Sequence, residues 1–540
     1  MRIIDLKKRR IPNISSNGPF VATKLKILKS TLGVTVFALC TQAILFGSQI
    51  IMASFFGAGA RLDAYLAVAA LPQYVTTVLL GSLGFVFLPI FVDLKNSVSD
   101  EDAWHVASSV INFTVLVLVL MTIMCLVLSR DFIRILAPGL PASSSNITIT
   151  LALLIWPTMI GQGLVALLTN VYHAKSQFIW PAAVPLMGAV ITLVLLLLLV
   201  RGYGIIGLAI ATTAGVIFQA SFLIPIAVKS GHYRFVLDFH HPGVRRVLML
   251  VLPLIVASIV GKATTVVERH LASSMIEGSI SHLGYAFRLI TIPTLLISIG
   301  IPTVAFPKMA LSVSQNNQAE LWETILLGSR YMWMAVAVVM AIGVGIAKPL
   351  VVVVFQRGEF SSSDSIVVAQ LFQVYLLSLP SACLANITAR AFYVMKDTRT
   401  VALYGTIESV AYVFYTFYLA RKFGIVGIVL GYTILFSGSL LWQVVILYYR
   451  MGKSNKKNHM PLFFVKTTAA ALVSCIVVFG GGYMFENIYM QFLIGSVAGF
   501  VTYIILLSVL GIQEIKQIGR FTSQLLASSW DSFRGKSDSA

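Results

Sequence analysis

Runs of about 20 apolar residues follow one another along most of this chain, with short polar gaps between them. A bilayer-spanning helix needs about 20 such residues. About fourteen runs qualify, at 31–54, 63–91, 107–129, 147–171, 179–200, 204–228, 246–268, 282–306, 329–354, 365–392, 399–420, 424–449, 462–484 and 488–511. Charged residues make up 11% of the 540, against about 25% in a soluble domain. The sequence therefore predicts an all-α polytopic membrane protein with about fourteen transmembrane helices.

The net charge of +19 would suggest a nucleic-acid partner in a soluble protein. Here the cations lie mainly between spans and at both ends, where they act as topology signals. Lys175, Lys229, Arg234, Arg245, Arg246, Lys396, Arg399, Arg450, Lys453, Lys456 and Lys457 fall in even-numbered connections. The odd-numbered connections are poorer in cations. The expected topology is multi-pass, with both termini cytoplasmic and no nucleic-acid partner. Residues 1–30 form a basic cytoplasmic segment, and the first run, about 24 residues long, is too long for a signal-peptide core. Cys40, Cys125, Cys383 and Cys475 are isolated in apolar segments, with no metal or disulfide spacing.

The chain also repeats. R-G-Y-G-I-I-G from Arg201 matches R-K-F-G-I-V-G from Arg421, and each is expected to open a helix. Phe87-Leu88-Pro89 matches Phe306-Pro307, Pro72 matches Pro293, and Tyr172 to Lys175 matches Tyr393 to Lys396. All four offsets are about 220 residues. Six spans per copy give parallel repeats related by an axis along the membrane normal, with the substrate site expected between them. The implied division is a first lobe at 31–228, a connection at 229–245 and a second lobe at 246–449. A basic loop at 450–461, helices thirteen and fourteen at 462–511 and a cytoplasmic tail at 512–540 complete it.

No phosphate-binding G-x-x-x-x-G-K-[ST] loop, nucleophile–base pair or histidine-rich metal spacing occurs, so the chain reads as a transporter and not an enzyme. His240-His241 reads as a solvated loop. The costly feature is the stretch from Gly261 to Arg288, with Lys262, Glu268, Arg269 and Arg288 in or beside apolar runs. An ionisable side chain near the bilayer centre costs roughly 2.5–3.5 kcal/mol and usually faces a protein interior or a wet cavity. Lys262 and Arg269 are seven apart, hence on one helical face. With Arg288 they suit a diphosphate. The competing readings are a structural ion pair for Lys262 and snorkelling for Arg269. Glu268 neutralises a cation, binds a coupling ion, or pairs with Arg269 or Arg61 at the interface.

From Phe56 to Tyr65 the sequence F-G-A-G-A-R-L-D-A-Y resembles the MurJ/MviN family of lipid II flippases, in the multidrug/oligosaccharidyl-lipid/polysaccharide exporter superfamily. The resemblance continues through Leu71-Pro72, Phe87 to Phe91, Leu136 to Gly139, Glu268 to Ser273, Gly278 to Ile280, Gly284 to Leu289, Phe306-Pro307 and Phe355 to Phe360. It implies two six-helix lobes around a central cavity, with the last two helices adding a groove. It implies alternating-access transfer of an undecaprenyl-diphosphate-linked sugar from the inner to the outer leaflet of the bacterial cytoplasmic (inner) membrane, for peptidoglycan or other envelope polysaccharide. Membrane lipids and cell-envelope synthesis enzymes are the implied partners. No cofactor is implied beyond a coupling ion or the membrane potential.

The resemblance carries over most clearly to Asp63 and Arg288. The family typically holds arginines where this chain has Gln42, Ser48 and Thr76, and an acid where it has Gln49. Lys262, Arg288, Arg269, Asp63, Glu268, Gln42, Ser48 and Thr76 are thus the candidate substrate-binding residues. Arg61 and Arg390 are candidate gates. Asp63 also suits a helix cap, Arg390 suits snorkelling, and Gln42, Ser48 and Thr76 suit helix packing. A related lipid-linked oligosaccharide is the alternative to lipid II. A cation-coupled small-molecule exporter or a transport-inactive subunit on the same scaffold are the alternatives to both.

Overall fold

The computed structural model describes residues 19–140, 145–226, 233–451 and 460–517 except 516. These residues form long helices joined by short turns. The first lobe comprises α1 (Pro19–Phe56), α2 (Ala60–Ser97), α3 (Asp100–Val127), α4 (Ser129–Leu136), α5 (Ser145–Ile155), α6 (Thr158–Ala174) and α7 (Ile179–Leu223). The second comprises α8 (Pro242–Ser273), α9 (Ser279–Ser314), α10 (Gln318–Gly345), α11 (Ala347–Phe355), α12 (Ser362–Leu376), α13 (Leu379–Val394), α14 (Thr398–Phe423) and α15 (Ile425–Met451). The hairpin of α16 (Met460–Tyr483) and α17 (Ile488–Val509) packs on α10.

Among the described residues, 12 helical stretches are long and apolar enough to cross a bilayer. One of them, the 45-residue α7, is two helices meeting at Gly204. The 26-residue α14 is also of spanning length, but Glu408 and its tyrosines and threonines lower its hydropathy. With both taken into account, the helices are consistent with about fourteen crossings.

The internal repeat appears in the backbone. Gly204 has φ 54 and ψ −130, and Gly424, 220 residues later, breaks the chain with φ 60 and ψ −140. Non-glycine residues rarely take such angles. Three residues on, a Cβ at Gly207 would lie 2.7 Å from the Leu199 carbonyl oxygen, and one at Gly427 would lie 2.1 Å from that of Leu419. The R-G-Y-G-I-I-G pair is therefore one tight corner built twice. Ser176 and Lys396, also 220 apart, both take positive φ (58 and 61) just beyond α6 and α13.

Several expected single spans are broken. The run at 147–171 divides into α5 and α6 around Trp156 and Pro157, and the run at 365–392 divides into α12 and α13 at Leu377 and Ser378. The run at 329–354 begins earlier, at Gln318, and breaks at Ile346. Side-chain caps fix several starts. Ser99 accepts from Asp102 N, Asn317 from Glu320 N, and Asp397 from Thr400 N, while Ser361 and Asp364 form a capping box.

The helix ends define two faces. One, the basic end, carries Lys175, Arg234, Arg246, Lys396 and Arg450. At the other, the turns after α1, α4, α8 and α11 meet one another, and this is the junction end.

The connection before α8 corrects one expectation. His240 is exposed, as expected of a solvated loop, but His241 is half-buried in a strap along α3. His241 caps α8 and pairs with Asp102 at 3.2 Å, and His105 pairs with Asp238 at 3.1 Å. Asn112 donates to the Arg234 and Val236 carbonyls and accepts from the Tyr233 hydroxyl.

Candidate functional site at the lobe junction

The junction end brings backbone against backbone, and glycines make that approach possible. Gly57, Gly278 and Gly358 all have positive φ (56, 86 and 59). A Cβ at Gly57 would lie 2.4 Å from the Glu359 carbonyl oxygen, and one at Gly358 would lie 2.1 Å from that of Ser54. Hydrogen bonds cross the same seam. Glu359 N donates to Ser54 O at 3.0 Å, Ala60 N to Glu277 Oε1 at 2.9 Å, and Tyr285 Oη to Gly57 O at 3.0 Å.

Asp63 sits at the centre of this seam and is only 4% exposed. Its carboxylate accepts from Gly278 N at 2.9 Å, Ser281 N at 2.8 Å and Ser281 Oγ at 2.5 Å. The helix-cap reading is thus right in kind but not in place, because Asp63 caps α9 across the junction and not its own helix. A carboxylate at a helix N-terminus satisfies orphan amides and meets the positive end of the helix dipole. His282, beside Ser281, is anchored to Asp364 at 2.8 Å, which fixes the first turn of α9 against α12.

Arg288 lies seven residues past Ser281, so the two share a face of α9 about 10 Å apart. Its Nε is buried and has no hydrogen-bond partner, and no ion pair involves Arg288 among the described residues. Lys262, exposed on α8, likewise has no partner among the described residues. α8 runs toward the junction end and α9 away from it. Lys262 stands eleven residues before Ser273 and Arg288 nine after Ser279, which puts both roughly 15 Å below the junction end. That depth is about half of a 30 Å hydrocarbon core.

The other sequence candidates are already engaged or stand apart. Arg269 donates to the Ile280 carbonyl at 3.3 Å, so it braces the α8–α9 turn and does not join Lys262. Glu268 accepts from the Tyr412 hydroxyl at 2.8 Å and forms no ion pair with Arg269 or Arg61. Ser48 donates to its own helix at Ile44 O, 3.0 Å, and Thr76 reaches Pro72 O at 2.7 Å and Gln162 Oε1 at 2.9 Å. Gln42 is half-buried without a partner among the described residues, as is Arg390 near the basic end. Arg61 is exposed at the junction end.

Sequence reading missed Ser281, Glu277 and Tyr412. The first was hidden because its backbone amide does half the work, and amides carry no residue signature. Glu408 was also missed, although a carboxylate in the middle of an apolar run is a readable signal. Its Oε1 is buried and faces Gly438.

The family model described as lipid II flippase MurJ matches residues 52–503. The chain belongs to the lipid II flippase MurJ family. It is 26% identical over 513 residues to a probable lipid II flippase MurJ of Buchnera aphidicola subsp. Schizaphis graminum (strain Sg), covering 91% of this chain and 98% of that one. Among solved structures it resembles a lipid II flippase MurJ in the inward closed conformation, with a TM-score of 0.77 at 22% identity over 88% of this chain and 98% of the other. An inward-facing MATE family multidrug transporter of the MOP superfamily follows at a TM-score of 0.66 and 15% identity, over 76% and 96% of the two chains. The Asp63 seam and the two cations below it thus lie in a member of a flippase family.

Proposed function

We propose that this protein flips an undecaprenyl-diphosphate-linked saccharide, lipid II or a close relative, from the cytoplasmic to the outer leaflet of the bacterial inner membrane. The observation that carries the proposal is that Lys262 and Arg288, each roughly half a hydrocarbon core below a closed seam, have no ion-pair partner among the described residues. At roughly 2.5–3.5 kcal/mol each, cations without internal partners are expensive to keep there unless an anion arrives to meet them. A diphosphate supplies that anion, and guanidinium and ammonium groups are its usual partners. Gln42 on the first lobe can donate to sugar hydroxyls.

In this proposal the basic end faces the cytoplasm, in line with the positive-inside rule, and both termini lie there. The junction end is then the outer gate, with Asp63 as its latch. The headgroup enters between the lobes while the polyprenyl tail stays in lipid. The lobes rock, Asp63 releases α9, and the cavity opens outward. With the cytoplasm negative, each negative charge exported gains about 2.3 kcal/mol per 100 mV, which biases export without ATP. The protein acts as a transporter and not as an enzyme, and its partners are the enzymes that make and consume the lipid-linked precursor. A small-molecule cation exporter fits less well, because Glu268 is held by Tyr412 and Glu408, the carboxylate in the middle of α14, faces Gly438 of α15 within the second lobe.

The test is reconstituted flipping of lipid II and of other undecaprenyl-diphosphate saccharides. Arg288→Ala and Lys262→Ala are expected to lower the rate at least about tenfold each, in line with 1.5–3 kcal/mol per charge-assisted contact. Wild-type rates in both variants would remove the cationic-cavity reading. No flipping of any substrate by the wild type would favour a transport-inactive subunit.

A further inference from the structure

A groove on the outer flank of the second lobe belongs neither to the junction nor to the path between the lobes. It has a volume of about 450 Å³ and lies between α10, α13, α15 and α16. α1, α2, α8 and α9 contribute no lining residue to it. Its walls include Trp322, Leu326 and Ser329 on one face of α10, and Leu440, Val444 and Tyr448 on α15. Trp322 to Ser329 spans about 10 Å of helix, so the groove runs into the hydrocarbon from the basic end. Trp322, Tyr448 and Tyr449 stand at its mouth, where amphipathic aromatic rings mark the membrane interface.

Directly beyond that mouth is a second cavity of about 340 Å³ whose lining mixes polar and apolar side chains. Asn316, Gln318 and Arg450 line it. Arg450 follows Tyr449 in the chain, and Gln318 precedes Trp322 by about one turn, so the two cavities lie end to end. Arg450 is bound on one side by Asp397 at 2.6 Å, yet its side chain stays 45% exposed and a guanidinium has five donors. The Asn316 and Gln318 side-chain amides make no hydrogen bond among the described residues. The nearby Glu320 is held by Asn317 Nδ2 at 3.3 Å.

We propose that these two cavities together seat one anionic glycerophospholipid of the leaflet at the basic end. Its phosphate lies against Arg450 and the Asn316 and Gln318 amides, and one acyl chain fills the groove. A pocket of mixed lining that carries a cation and two free side-chain amides, opening into an apolar slot at the interface, matches a lipid that has both parts. The transported lipid is met elsewhere, by Lys262 and Arg288.

The experiment is native mass spectrometry of the full chain in mild detergent, titrated with phosphatidylglycerol and with phosphatidylcholine. The wild type should retain one phosphatidylglycerol about fivefold more tightly than phosphatidylcholine, the effect of one interfacial cation. Asn316→Asp, on an exposed turn residue with φ 53, should remove that preference. Ser329→Phe, which fills the groove, should weaken both lipids. Arg288→Ala should change neither. Equal retention of the two lipids by the wild type would overturn the proposal, as would wild-type retention in both site variants. Loss of phosphatidylglycerol in Arg288→Ala would place the lipid between the lobes and overturn it too. Because Arg288→Ala flipping is measured separately, failure of the transport reading leaves this result interpretable.

Discussion

The two lobes share a backbone but not a charge pattern. Both turn through the same glycine corner, at Gly204 and Gly424, and both close a helix with a positive-φ residue, at Ser176 and Lys396. At mid-depth they diverge. Stepping back 220 residues from Lys262 gives Gln42, and from Glu268 and Arg269 gives Ser48 and Gln49. The first lobe presents uncharged hydrogen-bonding groups there, and the second presents cations. Corner geometry tolerates few residue types, so it persists through duplication. In the proposed site between the lobes, charge would be set by what the site holds, which leaves each half free to specialise. Such a division would let the second lobe grip a phosphate while the first reads the sugar.

The junction is where the first lobe's charge is placed instead. Asp63 gives its carboxylate to the amides of Gly278 and Ser281 and to the Ser281 hydroxyl. Asp63→Asn keeps the shape and removes the charge, and one amide NH₂ must then face donors. Hydrogen bonds to charged groups contribute about 1.5–3 kcal/mol each. The closed population should therefore fall by at least about tenfold. Spin labels across the junction end, read by pulsed dipolar spectroscopy, report that change. An unchanged distance distribution would show that the glycine seam alone holds the lobes together and that the carboxylate is not the latch.

The spans were legible because hydrocarbon imposes length and apolarity on every crossing helix. The breaks at Ile346, Trp156-Pro157 and Leu377-Ser378 were not, since hydropathy carries no record of where a helix interrupts its hydrogen bonds. Lys262 and Arg288 stood out as charges in apolar runs. The partners of Asp63 did not, because two of its three donors are backbone amides more than 200 residues away. The same distance problem concealed the strap, whose His105–Asp238 and His241–Asp102 pairs join residues 133 and 139 apart.

Shared corners predict shared costs. Gly204 and Gly424 have positive φ, and a Cβ at either would meet nothing within 4 Å. Alanine there should thus cost only backbone strain, about 1–3 kcal/mol, and about the same in both lobes. Gly427→Ala should cost more than Gly207→Ala, since its Cβ would sit 2.1 Å and not 2.7 Å from a carbonyl oxygen. Thermal unfolding of the four variants in detergent gives the ranking. A large difference between Gly204→Ala and Gly424→Ala would break the equivalence of the two corners.

The smallest expected effect concerns which lobe the connecting strap belongs to. Residues 233–241 meet the second lobe through the His241 cap of α8 and attach to α3 of the first through Ser108, Ser109, Asn112 and His105. The His105 ring holds the Asp238 carboxyl below the usual carboxylate range, helped by the His240 and His241 amides. A carboxylate depressed on folding contributes stability that is complete above its unfolded value, about pH 4, and is lost as pH falls through the lower folded value. The strap should thus stay attached through neutral and mildly acidic pH and loosen only below about pH 4. Asp238→Asn should loosen it at every pH and flatten that dependence. Hydrogen exchange of the 233–241 amides, with exchange rates corrected for pH, reads both outcomes. Equal protection in Asp238→Asn and wild type at pH 7 would mean that Asn112 and the two serines hold the strap without the carboxylate.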